Sequence, residues 1–160
     1  MSGLISHVSV GCQPADMVRM VEMYDAIMTK VGAKRQMVIT QKGNSVADVH
    51  ASVSSYAPDD PVVAIAYGKY YPELWVQLPH DEKPASSGNG AHVAFACKSK
   101  EMVDQVHATA IAAGATCNGP PGPRPQYSDK YYGAFFTDPA GNKLEAIYYD
   151  LGLLGYCTIA

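Results

Sequence analysis

The sequence predicts an α+β fold of two βαβββ modules, whose strands form a cupped mixed β-sheet with the helices on its outer face. Two observations carry this. First, the chain repeats itself: "SHVSVGCQPADMVRMV" at residues 6–21 returns as "AHVAFACKSKEMVDQV" at 91–106, an ungapped offset of 85 positions. His7 falls on His92, Cys12 on Cys97, and Met17, Val18 and Val21 on Met102, Val103 and Val106, while Asp16 falls on Glu101. Second, each half reads in the same order: strand, helix, three strands. A repeat of half the chain is too long for a solenoid unit and marks a duplicated module.

Each element follows from local pattern. "LISHVSVG" alternates and is rich in β-branched residues, so it reads as a strand. Pro14 suits a first helical position. Met17, Val21, Tyr24, Met28 and Val31 follow at helical spacing and make one apolar face. Gly32 ends that helix. "AKRQMVIT" is the second strand, with a turn at Lys42-Gly43-Asn44. Residues 45–60 fit a short helix, an irregular strand or a loop. "PVVAIAYG" and "ELWVQLP" flank "KYYP" as a hairpin. The first module therefore runs to about residue 80.

A Pro/Ser/Gly linker, "HDEKPASSGNG", leads into the second module at about 90–150. "AHVAFACK" opens it as a strand, and Ser99 is the expected N-cap. Met102, Val103, Val106, Ala110 and Ala113 share a helix face, closed by Gly114. A short strand is expected at 115–117. "NGPPGPRPQYSDK" follows, and its prolines favour an ordered flap over a free loop. "YYGAFFTD", the turn "PAGN" and "KLEAIYYD" complete the module as a hairpin. The tail 151–160, "LGLLGYCTIA", is too apolar to stand in water.

Composition excludes several classes of function. The net charge is −3 and no Lys/Arg cluster occurs, which argues against nucleic acid as a partner. No apolar run approaches a membrane span. The start, "MSGLISHVSV", lacks the basic and apolar regions of a signal peptide, so a cytoplasmic location is expected. The cysteines form no C-x-x-C pair and are expected to be free thiols, Cys12 and Cys97 as small buried strand-end residues.

The chemistry is expected where the repeat places polar groups in equivalent positions. If the first strands of the two modules enter one composite sheet, a pseudo-two-fold axis relates His7 and His92, which then point into one concavity. In "KLEAIYYD", Glu145 alternates with Leu144 and Ala146. A carboxylate in so apolar a strand is costly unless it is paired or binds a metal. Two imidazoles and a carboxylate are a ligand set for a divalent transition metal. His50, His80 and His107 have no such support and read as exposed or structural.

"SHVSV", "GNGAHVAFAC" and above all "YYGAFFTDPAGNKLEAIYY" carry a family likeness. Over residues 4–149 the chain resembles the vicinal oxygen chelate superfamily of glyoxalase I, bleomycin-resistance proteins, fosfomycin-resistance enzymes and extradiol dioxygenases. The Asp-Pro-x-Gly-Asn turn followed by x-x-Glu is the most specific sign. The resemblance implies one divalent metal ion (Zn, Ni, Co, Mn or Fe) held by His7, His92 and Glu145. It also implies a homodimer, which the apolar tail and open sheet edges favour independently. The fourth ligand position of the family falls on Trp75, which cannot ligate. Gln77 and Glu73 lie two residues to either side on the same face, with Gln77 the preferred substitute. If neither ligates, the set is a three-ligand triad.

The Arg that glyoxalase I commonly places four residues after its first ligand is here Gly11, so a glutathione adduct is not the expected substrate. Trp75, Arg124, Tyr127 and Tyr131 are the expected substrate-binding residues, Arg124 through a substrate carboxylate. The preferred activity is that of a metal-dependent lyase or isomerase of glyoxalase type acting on a small oxygen-chelating substrate. Glu145 or a metal-bound hydroxide would be the proton carrier. The alternatives are an extradiol-type Fe(II) dioxygenase and a metal-free binding protein of bleomycin-resistance type.

Overall fold

Each module builds a sheet with its own helix laid across one face, because alternate strand residues are apolar and must be covered. The computed structural model describes residues 5–43, 49–53 and 58–150. In the first module β1 (Val8–Gly11) leads through a 3-10 turn at Pro14–Asp16 into α1 (Met17–Val31). β2 (Lys34–Thr40), β3 (Val62–Gly68) and β4 (Leu74–Gln77) follow. The second module repeats the order with β5 (Val93–Ala96), α2 (Lys100–Ala112), β6 (Thr116–Pro123), β7 (Tyr131–Thr137) and β8 (Lys143–Tyr149). The strand orders are β1-β4-β3-β2 and β5-β8-β7-β6. The cup is thus divided into two four-stranded mixed sheets, with β1 and β5 at their edges. In each, the first strand pairs parallel to the last and the other pairs are antiparallel.

The two helices pack against each other and close the core between the sheets. On α1, Met17, Met20, Val21, Met23, Tyr24, Ile27 and Met28 are buried; on α2, Val103, Val106 and Ala110. Gly32 caps α1 in the left-handed region at φ 78°, which glycine adopts without steric penalty. The Ser99 side chain accepts from the Met102 N–H at 3.2 Å, as the N-cap pattern predicts. Cys12 and Cys97, at the ends of β1 and β5, are fully buried. Burial pushes their thiols up to about 12 and about 11.

The turn in "DPAGN" is also the latch between the modules. Asp138 Oδ1 accepts the N–H groups of Ala140 and Asn142 at 3.0 and 2.9 Å. Its Oδ2 accepts from Asn142 Nδ2 at 2.8 Å and from the Tyr24 hydroxyl of α1 at 3.0 Å. Asn142 Nδ2 also donates to the Gly11 carbonyl of β1 at 2.9 Å. Four donors satisfy one buried carboxylate, and the bonds from Tyr24 to Asp138 and from Asn142 to Gly11 cross from one module to the other. A second, partly buried network sits in the first module. Arg35 makes a two-pronged contact with Asp25 and donates to the carbonyls of Val49 and Ala51, and the Tyr67 hydroxyl donates to Asp25 at 2.9 Å.

One sequence expectation is corrected. The short strand at 115–117 is longer, since β6 continues to Pro123 and takes in half of the expected flap. β6 is an edge strand paired only with β7, with register breaks at Cys117/Gly119 and Gly119/Gly122. An edge needs backbone N–H groups on one side only, so Pro120, Pro121 and Pro123 are tolerated there. His107 is half-buried. Its Nε2 lies 3.3 Å from Cys117 Sγ and its ring meets Phe136 edge-on, and burial lowers its pKa. The tail 151–160, Asn44 and half of the 45–60 segment (45–48 and 54–57) lie outside the described residues. Among the described residues no helix is long and apolar enough to cross a membrane.

Candidate functional site

With α1 and α2 covering one face of each sheet, the other faces are left for chemistry. On the second sheet Glu145 projects from β8 between buried Leu144 and Ala146. It is only 2% exposed. The Tyr131 hydroxyl donates to Glu145 Oε1. His92 Nε2 lies 3.4 Å from Oε2, and the His92 ring is about half-exposed. Burial, followed by the carboxylate itself, pushes the Tyr131 hydroxyl well up, so it stays protonated and donating. One carboxylate oxygen is therefore committed to a phenol, and the other turns with an imidazole toward the open face. Tyr127 and Tyr149 flank Tyr131, with ring centroids 5.1 and 6.1 Å away.

Gly133 makes room for this arrangement. A Cβ there would lie 3.0 Å from Tyr131 Cε1 and 3.1 Å from Glu145 Oε1. Sequence reasoning missed Gly133, and the available signal was a glycine inside an otherwise aromatic strand, "YYGAFF".

The first sheet carries the matching half. His7, Ser9, Tyr71, Trp75 and Gln77 are among the residues lining a cavity of about 590 Å³. Pairing confirms the repeat register: Ser9 opposes Trp75 as Ala94 opposes Glu145. Trp75 is thus the structural counterpart of Glu145. Glu73 is committed elsewhere, its Oε2 accepting the Lys69 N–H at 2.9 Å in the hairpin tip. Gln77 is half-buried at the end of β4 and also borders a neighbouring cavity of about 880 Å³ that includes His80.

The expected ligand residues therefore fall into two pairs. His92 stands with Glu145, and His7 shares its cavity with Gln77 and Trp75. Among the described residues no group of three or more His, Cys, Asp or Glu side chains is placed to hold a metal ion. Each pair supplies two donors of the kinds a divalent ion accepts, and a buried carboxylate oxygen facing an imidazole suits such an ion. Two donors by themselves do not complete the coordination of such an ion. Arg124 is not a free loop charge. It donates to the carbonyls of Pro120 and Pro123 at 2.6 and 3.2 Å and lies over the Phe135 ring.

The model of the Glyoxalase/Bleomycin resistance protein/Dioxygenase superfamily matches residues 47–146. Among solved structures, a glyoxalase/bleomycin resistance protein from Albidiferax ferrireducens is 31% identical, over 91% of this chain and 98% of its own, with a TM-score of 0.67. A glyoxalase/bleomycin resistance protein/dioxygenase family enzyme from Burkholderia phytofirmans is 20% identical over 89% and 95%, with a TM-score of 0.56. A glyoxalase-related enzyme from Fulvimarina pelagi is 15% identical over 92% and 88%, with a TM-score of 0.58. These last two share the fold. No curated protein matches the chain. With the paired modules, the Asp-Pro-x-Gly-Asn latch and these matches together, the chain belongs to the glyoxalase/bleomycin resistance protein/dioxygenase superfamily.

Proposed function

We propose that the protein is a metal-dependent enzyme of glyoxalase type, a lyase or isomerase acting on a small substrate with two neighbouring oxygens. The observation that carries this is Glu145, buried in an apolar strand with one oxygen held by Tyr131 and the other 3.4 Å from His92 Nε2. Burying a carboxylate beside an imidazole is expensive for stability alone. His92 and Glu145 would hold a divalent ion, with His7 as the third ligand and Gln77 as the fourth. Because His7 and Gln77 line a separate cavity, they would come from the partner copy in a homodimer. The ion would supply Lewis-acid polarisation of the substrate oxygens. Glu145 would take a proton from the substrate carbon and return it to the neighbouring atom, with the Tyr131 hydroxyl keeping its carboxylate in place. Trp75, Tyr127 and Tyr131 would wall the substrate off from water.

The test is metal analysis of the protein purified without added metal, combined with sedimentation. One ion of nickel, zinc, cobalt or manganese per chain in a dimer supports the reading. Iron would move it to the extradiol dioxygenase. Dimers carrying no metal, and binding none on dialysis, would sink it. A second reading is favoured by Trp75, since a non-ligating aromatic residue stands where Glu145 has its counterpart. That reading is a metal-free binding protein of bleomycin-resistance type, with Trp75 stacking on its ligand.

A further inference from the structure

The open face of the second sheet carries a charge pattern that the His92 and Glu145 pair does not use. Phe135 on β7 is the register partner of Glu145 on β8. The Arg124 guanidinium carbon lies 5.5 Å from the centroid of the Phe135 ring, and Lys143 Nζ lies 5.5 Å from the same centroid. Lys143 is two residues before Glu145 on β8, so the two share a face. Two like charges thus converge on one ring next to a buried carboxylate. Among the described residues, none of the ion pairs involves Arg124 or Lys143.

Arg124 is held rather than neutralised. Its Nη1 and Nη2 each donate to a backbone carbonyl, which orients the guanidinium and leaves its charge and remaining N–H groups available. The bed beneath it is made by two glycines of β6. A Cβ at Gly122 would lie 3.1 Å from Arg124 Nη1, and one at Gly119 would lie 3.2 Å from Phe135 Cδ2 and 3.6 Å from Arg124 Nη2. The edge strand is thus shaped to let the guanidinium lie close over the sheet. A planar fork and a point charge gathered at one ring, from the β6 and β8 sides of it, are the kinds of donor that take a two-oxygen anion.

We propose that Arg124 and Lys143, supported by Phe135, form an oxyanion-binding subsite, and that the substrate carries a carboxylate or phosphoryl group. This rests on the reading of the Glu145 face as the reaction site. An anionic group held here places the rest of a small substrate over Glu145 and His92. The two cations also offset the repulsion between that anion and the buried carboxylate.

The test titrates inorganic phosphate, and separately acetate, into the chelator-treated full chain, followed by the amide NMR shifts of Gly133, Phe135 and Lys143. Saturating shifts are expected. Arg124→Gln and Lys143→Gln should each weaken binding by about tenfold, the loss of one charge-assisted contact. The double variant should abolish it. Shifts that do not saturate, or that survive unchanged in the double variant, overturn the proposal. Metal content is measured on the same proteins before chelation and is expected to match the parent. Phosphate binding that depends on Arg124 and Lys143 in a protein without metal supports the subsite and removes the metal reading. Metal bound with no such phosphate site removes the subsite alone.

Discussion

Replacing Tyr24 by Phe removes one hydroxyl from the core and leaves the ring, which packs 6.0 Å from the Tyr67 ring, in place. The hydroxyl is fully buried and bonds Asp138 Oδ2 across 114 residues of sequence. After the change that oxygen keeps only Asn142 Nδ2. Losing a buried hydrogen bond to a charged acceptor costs about 1.5–3 kcal/mol. At about 2–4 °C per kcal/mol for a chain of this size, the melting temperature should fall by about 3–12 °C.

The effect should depend on pH. Burial raises the Asp138 pKa above its ordinary 3.8, and the bond from Tyr24 opposes that rise. The folded state therefore holds the Asp138 proton more tightly than the unfolded chain does. The protonated form's stabilising contribution is complete below the unfolded pKa and is lost as pH rises through the folded one. Tyr24 favours the ionised form, so Tyr24→Phe should cost most near pH 7 and less once Asp138 is protonated. Paired with Asn142→Ala in a double-mutant cycle, it should show a coupling of about 0.5–3 kcal/mol. The assay is thermal and urea unfolding of the four proteins at pH 7 and pH 4. A shift below about 1 °C at pH 7, or a cost that grows on acidification, would refute the latch.

Further outcomes follow from the same geometry. Glu145→Gln keeps the shape but removes the charge, so the proposed site should lose at least about tenfold in metal affinity, read by metal content after dialysis. His92→Ala should lose metal with little change in melting temperature, because the His92 ring is half-exposed and the core is untouched. Gly133→Ala should push Tyr131 and Glu145 aside by a few tenths of an ångström at a cost of about 1–3 kcal/mol. A crystal structure of that variant with both side chains unmoved would contradict the crowding argument. Cys12 and Cys97, raised to about 12 and about 11, should resist alkylation at pH 8 in the folded protein and react in urea, whereas exposed Cys117 should label in both, as peptide mapping will show.

Much of the site was legible because a duplicated module leaves a trace in one dimension. The 85-position offset puts His7 against His92, lining up the two final hairpins puts Trp75 against Glu145, and strand pairing gives the second of these as well. Glu145 stood out because a carboxylate between apolar neighbours in a strand has to be explained by something it touches. Tyr131 was named as a pocket residue, but its bond to Glu145 was not foreseen. Their being neighbours depends on antiparallel pairing of β7 with β8, and on a glycine at 133 that leaves room beneath them. The extent of β6 was missed because prolines argue against a strand until it is known to lie at an edge.

What the sequence by itself determined is local and periodic: the order of the elements, the buried face of each helix, the Ser99 and Gly32 caps, and the face of β8 that carries Glu145. These depend on spacing along the chain, on side-chain alternation and on the φ that glycine tolerates. What only the tertiary structure decided is which faces meet. One cupped sheet or two, His7 beside Trp75 rather than beside His92, Tyr24 on Asp138, and Arg124 with Lys143 over one ring are long-range juxtapositions. They follow from how two helix-covered sheets pack their apolar sides together, and no spacing in the chain encodes that.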